Sequence, residues 1–135
     1  MEPIRVVING AFGRMGQEIT KAVVCEPGLR VVGAVEKEVT QQYLPLTEAP
    51  ELIVLSSDLD SLLKSCDADV VVDFTDADVS MAAARVAIKQ KVIIVKNVNS
   101  SHLLPGYLQF SLHRTLQIQD ISAVRQERLH QRGSR

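Results

Sequence analysis

From residue 4 onward, short runs that are apolar at almost every position alternate with longer runs that are apolar at every third or fourth. Ile4–Asn9 (IRVVIN) is brief and β-branched, the pattern of a strand covered on both faces. Met15 to Cys25 follows, with Met15, Ile19, Ala22 and Val23 at helical spacing, and Pro27-Gly28 ends that helix. Arg30–Glu36 (RVVGAVE) predicts a second strand, and 37–50, with Pro45 and Pro50 and no periodicity, a loop. A short third strand is expected at Leu52–Leu55. Ser57 or Asp58 would then cap a helix carrying Leu59, Leu62 and Leu63. Asp69–Phe74 (DVVVDF) predicts a fourth strand. Thr75 or Asp76 would cap a helix running through Gln90, with Val79, Ala83, Val86 and Ala87 on one face, before a fifth strand at Val92–Val95. Strands alternating with helices imply parallel βαβ units, hence an α/β, doubly wound sheet with its ligand crevice at the carboxyl ends of the strands.

The pattern changes after Val95. Residues 107–131 contain no Gly or Pro, and Leu108, Leu112, Leu116, Ile121, Val124 and Leu129 form a stripe equally compatible with a helix or a disordered tail. Charge changes at the same place. Residues 1–95 hold nine Lys and Arg against fourteen Asp and Glu; residues 96–135 hold six against two, with His102, His113 and His130. These basic residues are scattered and only Tyr107 and Phe110 accompany them, so nucleic-acid binding is not expected. No apolar run reaches the roughly 20 residues of a membrane span. The first residues read as a strand rather than a secretory leader, and Cys25 and Cys66 lie far apart with no metal-ligand spacing. Both features point to a cytoplasmic protein with reduced thiols and no metal.

The candidate chemistry lies where the first strand meets the first helix. Gly10, Gly13 and Gly16 recur at intervals of three through that turn. Gly10 would permit a tight turn, Gly13 would let a pyrophosphate approach the backbone, and Gly16 would let the helix pack closely on the strand. The first N–H groups of a helix have no intrahelical partner and carry partial positive charge, which suits a dinucleotide's pyrophosphate. Arg14 could add a charge-assisted contact. Glu36 ends the second strand twenty positions after Gly16, where an acid accepts hydrogen bonds from the adenosine ribose. Lys37 beside it could receive a 2′-phosphate, so both NADH and NADPH are candidate cofactors. On the residues alone Phe74 is a core side chain and Thr75 a helix cap, while Asp73 is a strand-end residue paired nearby.

The segments INGAFGRMGQEI, VVGAVEK and DVVVDFTDADVS together resemble the amino-terminal half of bacterial dihydrodipicolinate reductase, over roughly residues 4 to 95. That family comprises the NAD(P)H-dependent 4-hydroxy-tetrahydrodipicolinate reductases of lysine biosynthesis by the diaminopimelate route. The resemblance implies that Gly10, Ala11, Phe12, Gly13, Arg14 and Met15 wrap the pyrophosphate. It implies equally that Glu36 holds the ribose, that Lys37 discriminates the phosphate, and that Phe74 and Thr75 face the cofactor.

The family continues with a G-T-T-G turn after its fifth strand, and then a substrate domain with a histidine pair and a K-x-D-x-P-S-G-T motif. Here the corresponding stretch reads VKNVNSS, and neither motif follows. The expectation is therefore a dinucleotide-binding domain over 1–95 and a divergent tail over 96–135, the product of a truncation or a shifted reading frame. No catalytic residue is assigned. Holding a substrate against the nicotinamide contributes roughly 7–11 kcal/mol, so the chain alone is expected to be inactive unless a second chain supplies the substrate domain. The alternative is a non-catalytic nucleotide-binding or redox-sensing module. A short-chain dehydrogenase is disfavoured, because Tyr43 and Tyr107 are followed four residues on by Thr47 and Ser111 instead of lysine.

Overall fold

The computed structural model describes residues 2–46, 49, 51–96 and 126. In chain order these residues form β1 (Ile4–Asn9), α1 (Arg14–Val24), β2 (Leu29–Val35), β3 (Val54–Ser56), α2 (Leu59–Ser65), β4 (Val70–Asp73), α3 (Ala77–Gln90) and β5 (Ile93–Lys96). The five strands make one parallel sheet in the order β3-β2-β1-β4-β5. The chain therefore winds outward from β1 through β2 to β3, crosses back, and winds outward again through β4 to β5. This is the doubly wound, Rossmann-like sheet that the alternation of patterns predicts. The apolar stripe at 108–129, the three histidines and nearly all of the expected tail lie outside the described residues.

β1 is the central strand, and Val7 and Ile8 are completely hidden. Burying a side chain of that size stabilises the fold by about 1.5–3 kcal/mol. On one face Val7, Val35 and Val71 pack with Leu59, Leu62 and Leu63 of α2 and Ala83 of α3. α1 packs against β1 and β2 through Gly16, Ile19, Thr20 and Val23.

This inward face of α1 corrects the expected one, since Met15 and Ala22 are exposed. The helix approaches the preceding turn so closely that only glycine fits at the point of contact, and this sets its rotation. Thr20 is tolerated inside because its hydroxyl donates to the Gly16 carbonyl at 2.6 Å. The strand ends differ from expectation by a residue or two: Glu36 and Phe74 lie just past their strands, and β3 begins at Val54 rather than Leu52.

The pairing of β1 with β2 contains an irregularity. Val6 is opposite Val31 but Val7 is opposite Gly33, so β2 contributes one extra residue, Val32. Beyond it the registers agree across the whole sheet. Ser56, Val35, Asn9, Asp73 and Lys96 form one row along the carboxyl edge.

Candidate functional site

The chain immediately beyond that row contains most of the residues singled out by the sequence. Gly10 follows Asn9 with φ of +84°, a conformation that strains any residue with a Cβ. It lets the Gly10 and Ala11 N–H groups both donate to the Val35 carbonyl, at 2.9 and 3.3 Å. A Cβ on Gly16 would lie 2.0 Å from the Gly10 carbonyl oxygen, so the helix rests directly on backbone. Gly13 differs from both. Its φ of −64° suits any residue, and a Cβ there would meet nothing nearer than the Gly10 oxygen at 3.7 Å. The protein's own packing does not require glycine at position 13.

The helix starts differ in the same way. α2 begins at Asp58, whose side chain accepts from the Asp60 N–H, and α3 at Asp76, whose side chain accepts from the Val79 N–H at 3.1 Å. Each also has an acid in its first turn, Asp60 and Asp78 respectively. The Ser61 hydroxyl donates to Asp58 at 2.7 Å and holds its carboxyl below the ordinary carboxylate range. α1 has neither device. Its N-cap is Gly13, with no side-chain hydrogen bond and no acid in the first turn. The first amides of α1 thus lack the negative partner that the other two helices supply for themselves. Arg14, in that first turn, is exposed.

Glu36 stands beside this turn. Its Oε2 accepts from the Phe12 N–H and its Oε1 from the Lys37 N–H, both at 2.9 Å. The acid expected to meet a ribose therefore also ties the glycine turn to the end of β2. Gln17 adds a second tie, donating from Nε2 to the Phe12 carbonyl at 2.8 Å. Neither contact was readable in advance, because a glutamine one turn into a helix has no signature of its own. Phe12 and Met15, each 39% exposed, place apolar surface around the turn. Lys37 extends toward α3, its ammonium 3.8 Å from the Asp76 carboxylate.

On the other side of Gly10, β4 delivers Asp73, which is 1% exposed. Asp73 accepts from Asn9 Nδ2 at 3.2 Å, from the Thr75 N–H at 3.1 Å, from the Thr75 hydroxyl at 2.6 Å, and from the Ser80 hydroxyl. As the sequence indicates, it is paired with its neighbours. Thr75 is not the helix cap; its hydroxyl turns back to Asp73 and Asp76 takes that role. Phe74 is half-buried, and its N–H donates to the Asn9 carbonyl at 3.0 Å. A Cβ on Gly10 would lie 3.1 Å from Thr75 Cγ2, so the glycine turn and the 74–75 segment touch. Among the described residues no group of His, Cys, Asp and Glu could hold a metal ion, and no helix is long and apolar enough to cross a membrane.

A family model described as "Dihydrodipicolinate reductase, N-terminus" matches residues 4–96. The chain belongs to the dihydrodipicolinate reductase family. A 4-hydroxy-tetrahydrodipicolinate reductase of Dehalococcoides mccartyi is 45% identical over 95 residues, covering 70% of this chain and 36% of that protein. The chain thus spans about a third of the length of the curated relatives it matches. Among solved structures, a dipicolinate-bound dihydrodipicolinate reductase from Paenisporosarcina sp. TG-14 is similar, with a TM-score of 0.61 and 24% identity. It covers 79% of this chain and 41% of that one. The same fold occurs in RSP, a Rex-family repressor solved with β-NAD+ and operator DNA. That likeness has a TM-score of 0.59 and 13% identity, over 90% of this chain and 62% of the repressor.

Proposed function

We propose that residues 4–96 are the portion of a 4-hydroxy-tetrahydrodipicolinate reductase that binds NADH or NADPH, with the pyrophosphate at the start of α1. The observation that carries this reading is the contrast among the helix starts of α1, α2 and α3: two are closed by aspartates, and among these α1 alone presents its amides across a glycine that the fold does not need. A pyrophosphate fits that gap in charge and in space, because Gly13 leaves open the volume a Cβ would take. The wall is then Gly10 to Met15, with Arg14 as a countercharge and Gly16 holding the helix close. Each oxygen of Glu36 accepts one N–H and retains a second lone pair, so a ribose diol can donate to both. Asp73 fixes the 74–75 segment on the far side of the crevice, where Phe74 and Thr75 would border the nicotinamide half.

When bound, the dinucleotide supplies a hydride from its nicotinamide. Residues 4–96 bind and orient it, and a substrate-holding segment completes the reaction, whether from this polypeptide beyond residue 96 or from a second chain. Cys25 and Cys66 are free thiols, which suits a reducing, cytoplasmic setting. The test is Gly13→Val, whose Cβ finds room in the fold and would take the volume the ligand needs. We expect NADH affinity to fall at least tenfold, about 1.4 kcal/mol, while the protein without cofactor loses only what exchanging a glycine N-cap for valine costs, about 1 kcal/mol. NADH at a hundred times its Kd should stabilise the wild-type protein by about 2.7 kcal/mol. An affinity unchanged by Gly13→Val would overturn the reading.

A further inference from the structure

We propose that Asp76, acting on Lys37, is a specificity-determining residue that makes this site select NADH over NADPH. The inference rests on the dinucleotide reading above and concerns which cofactor the site takes. The two cofactors differ by one phosphate on the adenosine ribose, which brings close to two negative charges at neutral pH. Lys37 is the cation next to the ribose acid, but its ammonium is engaged by Asp76 at 3.8 Å. Both side chains are exposed, so solvent weakens the pair. What distinguishes it is that Asp76 cannot turn away. Its carboxylate accepts from the Val79 N–H at 3.1 Å, and moving it would uncap α3. A fixed negative charge therefore stands beside the lysine that would have to receive the phosphate, and Glu36 brings another. A free ribose diol meets no such conflict, since it donates to Glu36 and asks nothing of Lys37.

The capping role supplies a clean test. Asparagine caps a helix as well as aspartate does, and serine nearly so. Asp76→Asn and Asp76→Ser thus remove the charge and keep the helix start, which a melting curve verifies. Titrations of the full chain with NADH and NADPH are compared at low salt and at 1 M salt. The wild type should bind NADH more tightly. Either variant should tighten NADPH about fivefold, as expected for a solvent-screened charge acting on a doubly charged group, and leave NADH within about twofold. The gain should disappear at 1 M salt, where the screening length falls to about 3 Å, and in the double variant Asp76→Asn/Lys37→Gln. A wild-type preference for NADPH, or a cofactor ratio that neither variant moves, overturns the inference while the dinucleotide reading stands. Failure of both dinucleotides to bind overturns the reading and this inference together.

Discussion

Side-chain hydrogen bonds tie β1 to β4 at both ends of the sheet, with opposite chemistry. At the amino end Arg5 reaches Asp69 from its main-chain N–H at 2.9 Å and from Nε and Nη2 at 3.2 Å, and reaches Asp67 from Nη1 at 2.7 Å. The Asp69 carboxylate raises the Arg5 guanidinium above its ordinary value, chiefly by hydrogen bonding. At the carboxyl end the buried carboxylate is Asp73, and its partners Asn9, Thr75 and Ser80 are all neutral. One end is closed by an arginine shared between two carboxylates. The other is held by dipoles, next to a helix start that has no acid of its own. The same two strands are thus joined at one end by charge and at the other by dipoles gathered around a single buried carboxylate.

The largest effect should come from Gly16→Val. Its Cβ would lie 2.0 Å from a backbone oxygen, and overpacking of this kind costs about 3 kcal/mol. Urea denaturation measures it, and a loss below 1 kcal/mol would mean that the turn yields more readily than its contacts imply. Asp69→Ala comes next. It removes the acceptor of three Arg5 hydrogen bonds and should cost about 2 kcal/mol while leaving NADH affinity unchanged. A fall in affinity would show that the two ends of the sheet are coupled. The smallest effect is on pH dependence. The Asp58 carboxyl is held below its ordinary value when folded. The support it gives α2 is therefore complete above about pH 4 and lost as pH falls through the lowered folded value. Protection of the amides at the start of α2, measured against their intrinsic exchange rates at each pH, should fall over that range, and Ser61→Ala should shift the onset to higher pH.

Most of the architecture is legible in the pattern of apolar residues. β1 begins and ends where its β-branched run does, because a strand buried on both faces tolerates little else. α1 shows where the pattern misleads. Met15 is apolar and on the expected stripe, yet it is 39% exposed, because closeness to the turn, and not hydrophobicity, decides which residues face inward. A glycine carries no hydrophobic signal, so a contact made by the lack of a side chain is invisible to periodicity. The site divides in the same way. The turn and the distant acid are readable from spacing, but the bond from the Phe12 amide to Glu36 depends on strand register, which spacing does not encode. Thr75 and Asp76 both suit a helix cap; only the buried Asp73, drawing the threonine hydroxyl inward, decides between them.

The surplus residue in β2 reaches further than its size implies. Were Val32 drawn straight into the ladder, Val35 would lie opposite Gly10 and Glu36 would move about 3.3 Å onward, out of reach of the Phe12 amide it now accepts from at 2.9 Å. The interval between glycine turn and acid is therefore no fixed ruler: it includes one residue of slack. A chain with an unbroken second strand would need its acid one position earlier to reach the same amide.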